Sequence, residues 1–145
     1  MMFNRRHLVT TGLALAVTPS LAGLAKGQTA KPMLVFVGNE TCGACKFWRA
    51  RAEPEFLKSD AFRKLDYRVV YPKNEELIVK EASWPADARW ILPAFLATKE
   101  GKDHATDQSL FILAQDGKIA FIAVGMGGWQ DKMKPKIAEA TGSKA

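Results

Sequence analysis

The chain has 145 residues, a formal net charge of +6 and two cysteines. Its 21 Lys and Arg are spread among 15 Asp and Glu. That reads as a solvated surface and excludes the concentrated basic block of a nucleic-acid binder.

Residues 1–25 read as an export signal. Arg5-Arg6 precedes a mildly apolar run from Leu8 to about Leu24, and small residues follow. The run is too short, and too rich in Thr and Gly, for a good spanning helix. Asn4-Arg5-Arg6-His7-Leu8-Val9 resembles the twin-arginine pattern, although Asn4 and Thr10 depart from it. Twin-arginine export, ordinary Sec export and an uncleaved amphipathic anchor all remain open. Cleavage is placed after Ala25, with Ala22 as the other position. Two basic residues and no acid fall in that segment, so the remainder carries +4. It is the size of one small domain, placed at residues 31–142.

The apolar run at 33–37, MLVFV, predicts a buried strand. Gly38 to Thr41 predicts a turn. A helix follows from Cys42 to about Ala52, with Phe47 and Trp48 as core residues and Pro54 as its breaker. Residues 55–65 continue helically, with Phe56, Ala61, Phe62 and Leu65 inward and Ser59 or Asp60 as a cap. Residues 67–71 predict a second strand, ended by Pro72. Residues 74–82 read as helix, and Ser83-Trp84-Pro85 reads as a fresh helix start. Ala88, Ile91, Leu92 and Phe95 form a helical stripe interrupted by Pro93. Lys99 to Asp103 reads as a polar loop, with His104 at its edge. Residues 109–114 and 119–124 predict two strands joined by a hairpin turn at Asp116-Gly117. Gly125 to Gly128 reads as flexible. A last helix is capped by Asp131 and turns Met133, Ile137 and Ala140 inward, with Pro135 in its first turn. The order β-α-β-α-β-β-α predicts a parallel first half and an antiparallel second half in one mixed α/β sheet.

Both cysteines lie in NETCGACKFW, residues 39–48. A disulfide across two intervening residues closes a very short loop and restricts the unfolded chain little. The pair falls where a strand ends and a helix begins. Unpaired N–H groups and the helix dipole stabilise a thiolate there. Lys46, Arg49 and Arg51 add positive charge. Gly43 and Ala44 are small enough for a partner's chain to approach Cys42. In thiol–disulfide exchange, Cys42 would attack and Cys45 would resolve. A structural disulfide and a two-thiolate Cu(I) carrier are the alternatives. A four-ligand zinc site lacks a second ligand pair, and Lys46 stands where haem attachment wants His. Trp84, Trp90 and His104 read as packing or loop residues.

With MLVFV, CGAC, SLFILA, QDGK and IAFIAVG in this order and spacing, residues 31–142 resemble the thioredoxin superfamily. The resemblance implies a thioredoxin-like fold with a helical insertion near 73–104. It implies a thiol–disulfide oxidoreductase needing no cofactor beyond the Cys42–Cys45 disulfide. Thr41, Gly43, Ala44, Ser109 and Gly125 then border the pair and position the substrate. Four positions depart from the pattern. Ser109 replaces the cis-proline, which predicts a trans Gln108–Ser109 bond. Phe36 replaces a buried acid, leaving Glu40 as the nearest proton-transfer group by sequence. Thr41 replaces Trp, which looks more like the periplasmic disulfide isomerase branch, and Ala44 replaces the Pro of the reducing CGPC motif. The expected protein is a periplasmic, exported monomer of reductase or interchange type. Its expected partners are exported protein thiols or disulfides and a membrane electron donor, with no nucleic acid. The insertion either overhangs the cysteines or forms an extra layer with a core of its own.

Overall fold

Four short strands make one sheet in the computed structural model, which describes residues 30–104 and 108–144. The export signal expected at 1–25 lies outside the described residues. Strand β1 (Met33–Val37) is central, and Leu34, Val35, Phe36 and Val37 are fully buried. A strand buried on both faces needs the continuous apolar run seen in the sequence. β2 (Asp66–Val70) pairs parallel to β1, from Met33 opposite Asp66 to Val37 opposite Val70. Parallel pairing requires a crossover. Helices α1 (Gly43–Arg51), α2 (Glu53–Leu57) and α3 (Asp60–Arg63) lie between the two strands in the chain. β3 (Leu110–Gln115) and β4 (Lys118–Val124) complete an antiparallel hairpin, giving the order β2-β1-β3-β4. Asp116 and Gly117 both take positive φ, 53° and 72°, the conformation of a tight two-residue hairpin turn.

The alternation of side chains along β1 and β3 separates two cores. On one face Leu34, Phe36, Phe111 and Leu113 pack with Cys45, Trp48, Phe56, Trp129, Met133 and Ile137. On the other, Val35, Val37, Leu110 and Ile112 pack with Ile78, Trp84, Ala88, Ile91, Leu92 and Phe95. The second set belongs to the 73–104 segment, which therefore forms a layer on the sheet face opposite Cys45. Arg68 on β2 fastens this layer by donating from Nε and Nη2 to the Asp87 carboxylate at 2.6–3.1 Å. Trp84 is buried, and its indole N–H donates to the Ile78 carbonyl at 2.8 Å.

Several expectations are corrected. Residues 74–82 form no helix but two single 3-10 turns, Glu75–Leu77 and Glu81–Ser83, the first capped by the Asn74 side chain. After Pro85 comes another short turn, Ala86–Ala88. Pro93 does not interrupt α4 (Ile91–Ala97): it is the third residue, where its missing N–H would have no intrahelical partner. The polar loop at 99–103 is a helix, α5 (Lys99–His104), which takes in the backbone of His104. Thr98 Oγ1 accepts from the Gly101 N–H at 3.0 Å and caps it. A Cβ at position 101 would run into the Phe95 carbonyl, so glycine is needed there. Trp90 stays partly exposed rather than packed. As expected of a Pro that breaks or kinks a helix, α1 stops at Arg51 and Pro54 stands in the first turn of α2. Ser59 caps α3 by accepting from the Phe62 N–H at 3.1 Å.

After β4 the chain does not loosen at its glycines. Gly125–Gly128 is a helical turn, α6, which runs into a wide π turn at Trp129–Met133 and then α7 (Lys134–Thr141). Asp131 lies inside the π turn and caps nothing. Pro135 has no N–H to close a normal turn on Asp131, and its ring crowds that carbonyl, so the turn before it widens.

Candidate functional site

The cysteines sit at the carboxyl end of β1. Gly38 leaves the strand with its N–H bonded to the Val70 carbonyl at 2.9 Å, and the Glu40 N–H reaches the Pro72 carbonyl at 3.0 Å. The loop is thus tied to the end of β2. Asn39 is buried and shapes the turn: its Oδ1 accepts from the Thr41 N–H at 3.0 Å and from the Thr41 hydroxyl at 2.6 Å. This side-chain turn delivers Cys42 in an extended conformation to the N-cap position of α1.

There the Cys42 sulfur accepts the Cys45 N–H at 3.2 Å, taking the place of an N-cap side-chain oxygen. No acidic residue lies in the first turn of α1. Cys42 and Cys45 are joined as a disulfide, with Cα atoms 5.2 Å apart. The two sulfurs have unlike surroundings. Cys42 is half-buried beside the exposed Gly43 and Ala44, and nothing lies within 4 Å of where a Gly43 Cβ would stand. Cys45 is fully buried.

Ser109 and Gly125 come to the same end of the sheet. Val37 pairs with Leu110, and Leu110 with Val124, so the residues just beyond these pairs are neighbours. The Gly125 N–H donates to the Ser109 carbonyl at 2.8 Å, with Gly125 at φ +71°. Ser109 is buried, and its hydroxyl has no hydrogen-bond partner among the described residues. No cis peptide occurs among the described residues, so the Gln108–Ser109 bond is trans.

Two expectations about the neighbourhood change. Phe47 is not a core residue: it is 56% exposed. Arg49 does not face the sulfurs as free positive charge, because it pairs with Glu53 at 3.5 Å and lies over the Tyr71 ring at 4.8 Å. Glu40 is exposed on the loop. Two further residues escape a reading by motif. Gly38 packs against the buried sulfur so closely that a Cβ there would lie 2.8 Å from Cys45 Sγ and 2.9 Å from Phe36 Cζ. Glu53 is a buried carboxylate that accepts the Tyr67 hydroxyl at 2.7 Å. Burial, and then that hydrogen bond, hold the Tyr67 phenol far above its ordinary range. The only hint of Glu53 in the sequence is its position four residues after Arg49, a helical ion-pair spacing.

Among the described residues, no cluster of three or more His, Cys, Asp or Glu could hold a metal. What the arrangement supplies is a half-buried cysteine at a helix start, a fully buried cysteine one turn in, and a disulfide already closed between them. That is compatible with thiol–disulfide redox activity. The fold and site define a mixed α/β protein with an oxidised Cys-x-x-Cys at a strand–helix junction. No protein-family model matches the chain, and no curated protein matches it either.

Proposed function

We propose that the chain is an exported, periplasmic thiol–disulfide oxidoreductase of thioredoxin-like fold, acting as a reductase or interchange protein on protein clients. The observation that carries this reading is the asymmetry of the pair. Cys42 is reachable and receives the Cys45 N–H at 3.2 Å, while Cys45 is fully buried behind it. Donors at a helix start favour the charged form of a thiol, so Cys42 is the nucleophile.

The exchange proceeds in two displacements. The Cys42 thiolate attacks a client disulfide; a Cys42–client bond forms, the client's own S–S bond breaks, and one client sulfur leaves as thiolate. Cys45, losing its proton, attacks the Cys42 sulfur; the Cys42–Cys45 bond closes and the second client sulfur leaves. The client gains two electrons and two protons, one proton from Cys45 and one from water, since Cys42 enters as thiolate. A dithiol donor at the membrane returns the pair to its reduced form by the same chemistry in reverse order. Thr41, Gly43, Ala44, Ser109 and Gly125 border the path by which a client strand reaches Cys42.

Reduction of insulin disulfides by a small dithiol, with and without the protein, tests the activity. The expected outcome is acceleration by the wild type, loss of it in Cys42→Ser, and a stable mixed disulfide on Cys42 in Cys45→Ala. No acceleration, together with no mixed disulfide, would contradict the reading. The rival, a two-thiolate Cu(I) carrier, requires the reduced pair to hold Cu(I) against a competing chelator.

A further inference from the structure

A cleft of about 630 Å³ lies between α1–α3 on one side and the run from Met126 to α7 on the other, with neither cysteine in its lining. Its size falls within the range of ligand-binding clefts. Its floor includes two buried aromatic rings, Phe56 and Trp129. Half-buried Met126 and exposed Phe47 add apolar surface. Three exposed cations, Arg51, Lys134 and Lys144, border it. Glu55 is the sole acid of the lining, and it already pairs with Lys58 at 3.4 Å. None of the three cations makes a carboxylate pair among the described residues; the Lys134 ammonium has only the Gln130 side-chain oxygen, at 3.3 Å. Phe47 follows Cys42 by five residues, about 7.5 Å along the helix axis. Met126 and Cys42 pack against the same core cluster. Of the lining residues, Phe47 stands closest to Cys42 along α1, and Arg51 lies about one turn further on.

We propose that this cleft docks an acidic segment with an apolar face, carried by the polypeptide whose sulfur meets Cys42. This rests on the oxidoreductase reading. Apolar floor and a positive rim without carboxylate partners among the described residues match such a segment in both respects: the aromatic and Met surface takes its apolar side chains, and the cations face its carboxylates. A flat anionic lipid surface fits less well, because it cannot reach a concave floor.

The probes are a cysteine-free amphipathic peptide of leucine, phenylalanine and glutamate, and its counterpart with every glutamate replaced by lysine. Binding of both is measured by calorimetry on the full-length wild type and on a variant combining Lys134→Glu with Lys144→Glu, two exposed positions. The expected result is that the acidic peptide binds the wild type about tenfold more tightly than the basic one, and that the double variant loses this preference. Equal binding of the two peptides, or an unchanged preference in the variant, overturns the proposal. So does saturable binding of phosphatidylglycerol vesicles where the acidic peptide fails to bind. Exchange of the wild type with oxidised glutathione is followed in parallel: its failure counts against the oxidoreductase reading alone, since a cysteine-free peptide reports docking without exchange.

Discussion

At Gly38 the backbone comes closest to the buried sulfur. Its lack of a side chain is a steric requirement, since a Cβ would stand 2.8 Å from Cys45 Sγ and 2.9 Å from the Phe36 ring. Neither neighbour is free to retreat: both are fully buried, and Phe36 stacks on Trp48 with centroids 4.4 Å apart. Gly38→Ala should therefore cost ~1–3 kcal/mol by overpacking, read by urea denaturation of the oxidised protein; unchanged stability would show that the site has slack. Tyr67 gives a pH signature. In the folded chain, burial and the Glu53 hydrogen bond keep the phenol protonated well above its ordinary pKa of 10.0. Above that value the unfolded chain loses the proton and the folded chain keeps it, so the unfolded state binds fewer protons and stability falls as pH rises. Below it, the contribution is complete. Tyr67→Phe should flatten this alkaline decline while costing ~1–2 kcal/mol near neutral pH, because buried Glu53 loses a donor. Thermal unfolding from neutral to alkaline pH reads both effects.

Among the elements, the loop from Gly38 to Thr41 matters most to the site, and one side chain organises it. Asn39→Ala removes the acceptor of two hydrogen bonds from Thr41. A loss of ~1 kcal/mol is expected, with faster amide exchange at Thr41 and Cys42 as the check; unaltered exchange would mean that the ties to Val70 and Pro72 suffice. The strands, the hairpin turn and the helix after Cys42 were legible because each rests on local chemistry: a continuous apolar run, an Asp-Gly pair, a strand followed by small residues. Residues 74–104 were not legible in the same way. The stripe of Ala88, Ile91, Leu92 and Phe95 does mark α4, but nothing local in 74–82 fixes helix length, so isolated 3-10 turns there pass for a helix. Lys99–His104 failed for the opposite reason. Its composition is that of a loop, and what makes it helical is the Thr98 cap together with the close pass of Gly101 by Phe95. Phe47 is exposed because it sits about 100° round α1 from Trp48, which takes the inner position.

Over the whole molecule, the sheet divides two kinds of surface. The 73–104 layer covers the face away from Cys45 and supplies its own core of Ile78, Trp84, Ile91 and Phe95. The cysteine face carries the aromatic cluster, the cleft and its cations. The candidate site was legible as a pair of cysteines at a helix start. Its surroundings were not, because Gly38, Glu53 and the Ser109 hydroxyl, unpartnered among the described residues, are defined by contacts between distant parts of the chain. All these features depend on one claim for their functional meaning: Cys42 is the activated thiol and Cys45 the shielded one. Alkylation of the reduced protein by iodoacetamide across pH, with each site followed by mass spectrometry, tests it directly. The account predicts that Cys42 reacts with a midpoint below the ~8.5 of an ordinary thiol, and that Cys45 reacts at least about tenfold more slowly. A Cys42 midpoint at or above that value, or faster reaction at Cys45, would contradict it.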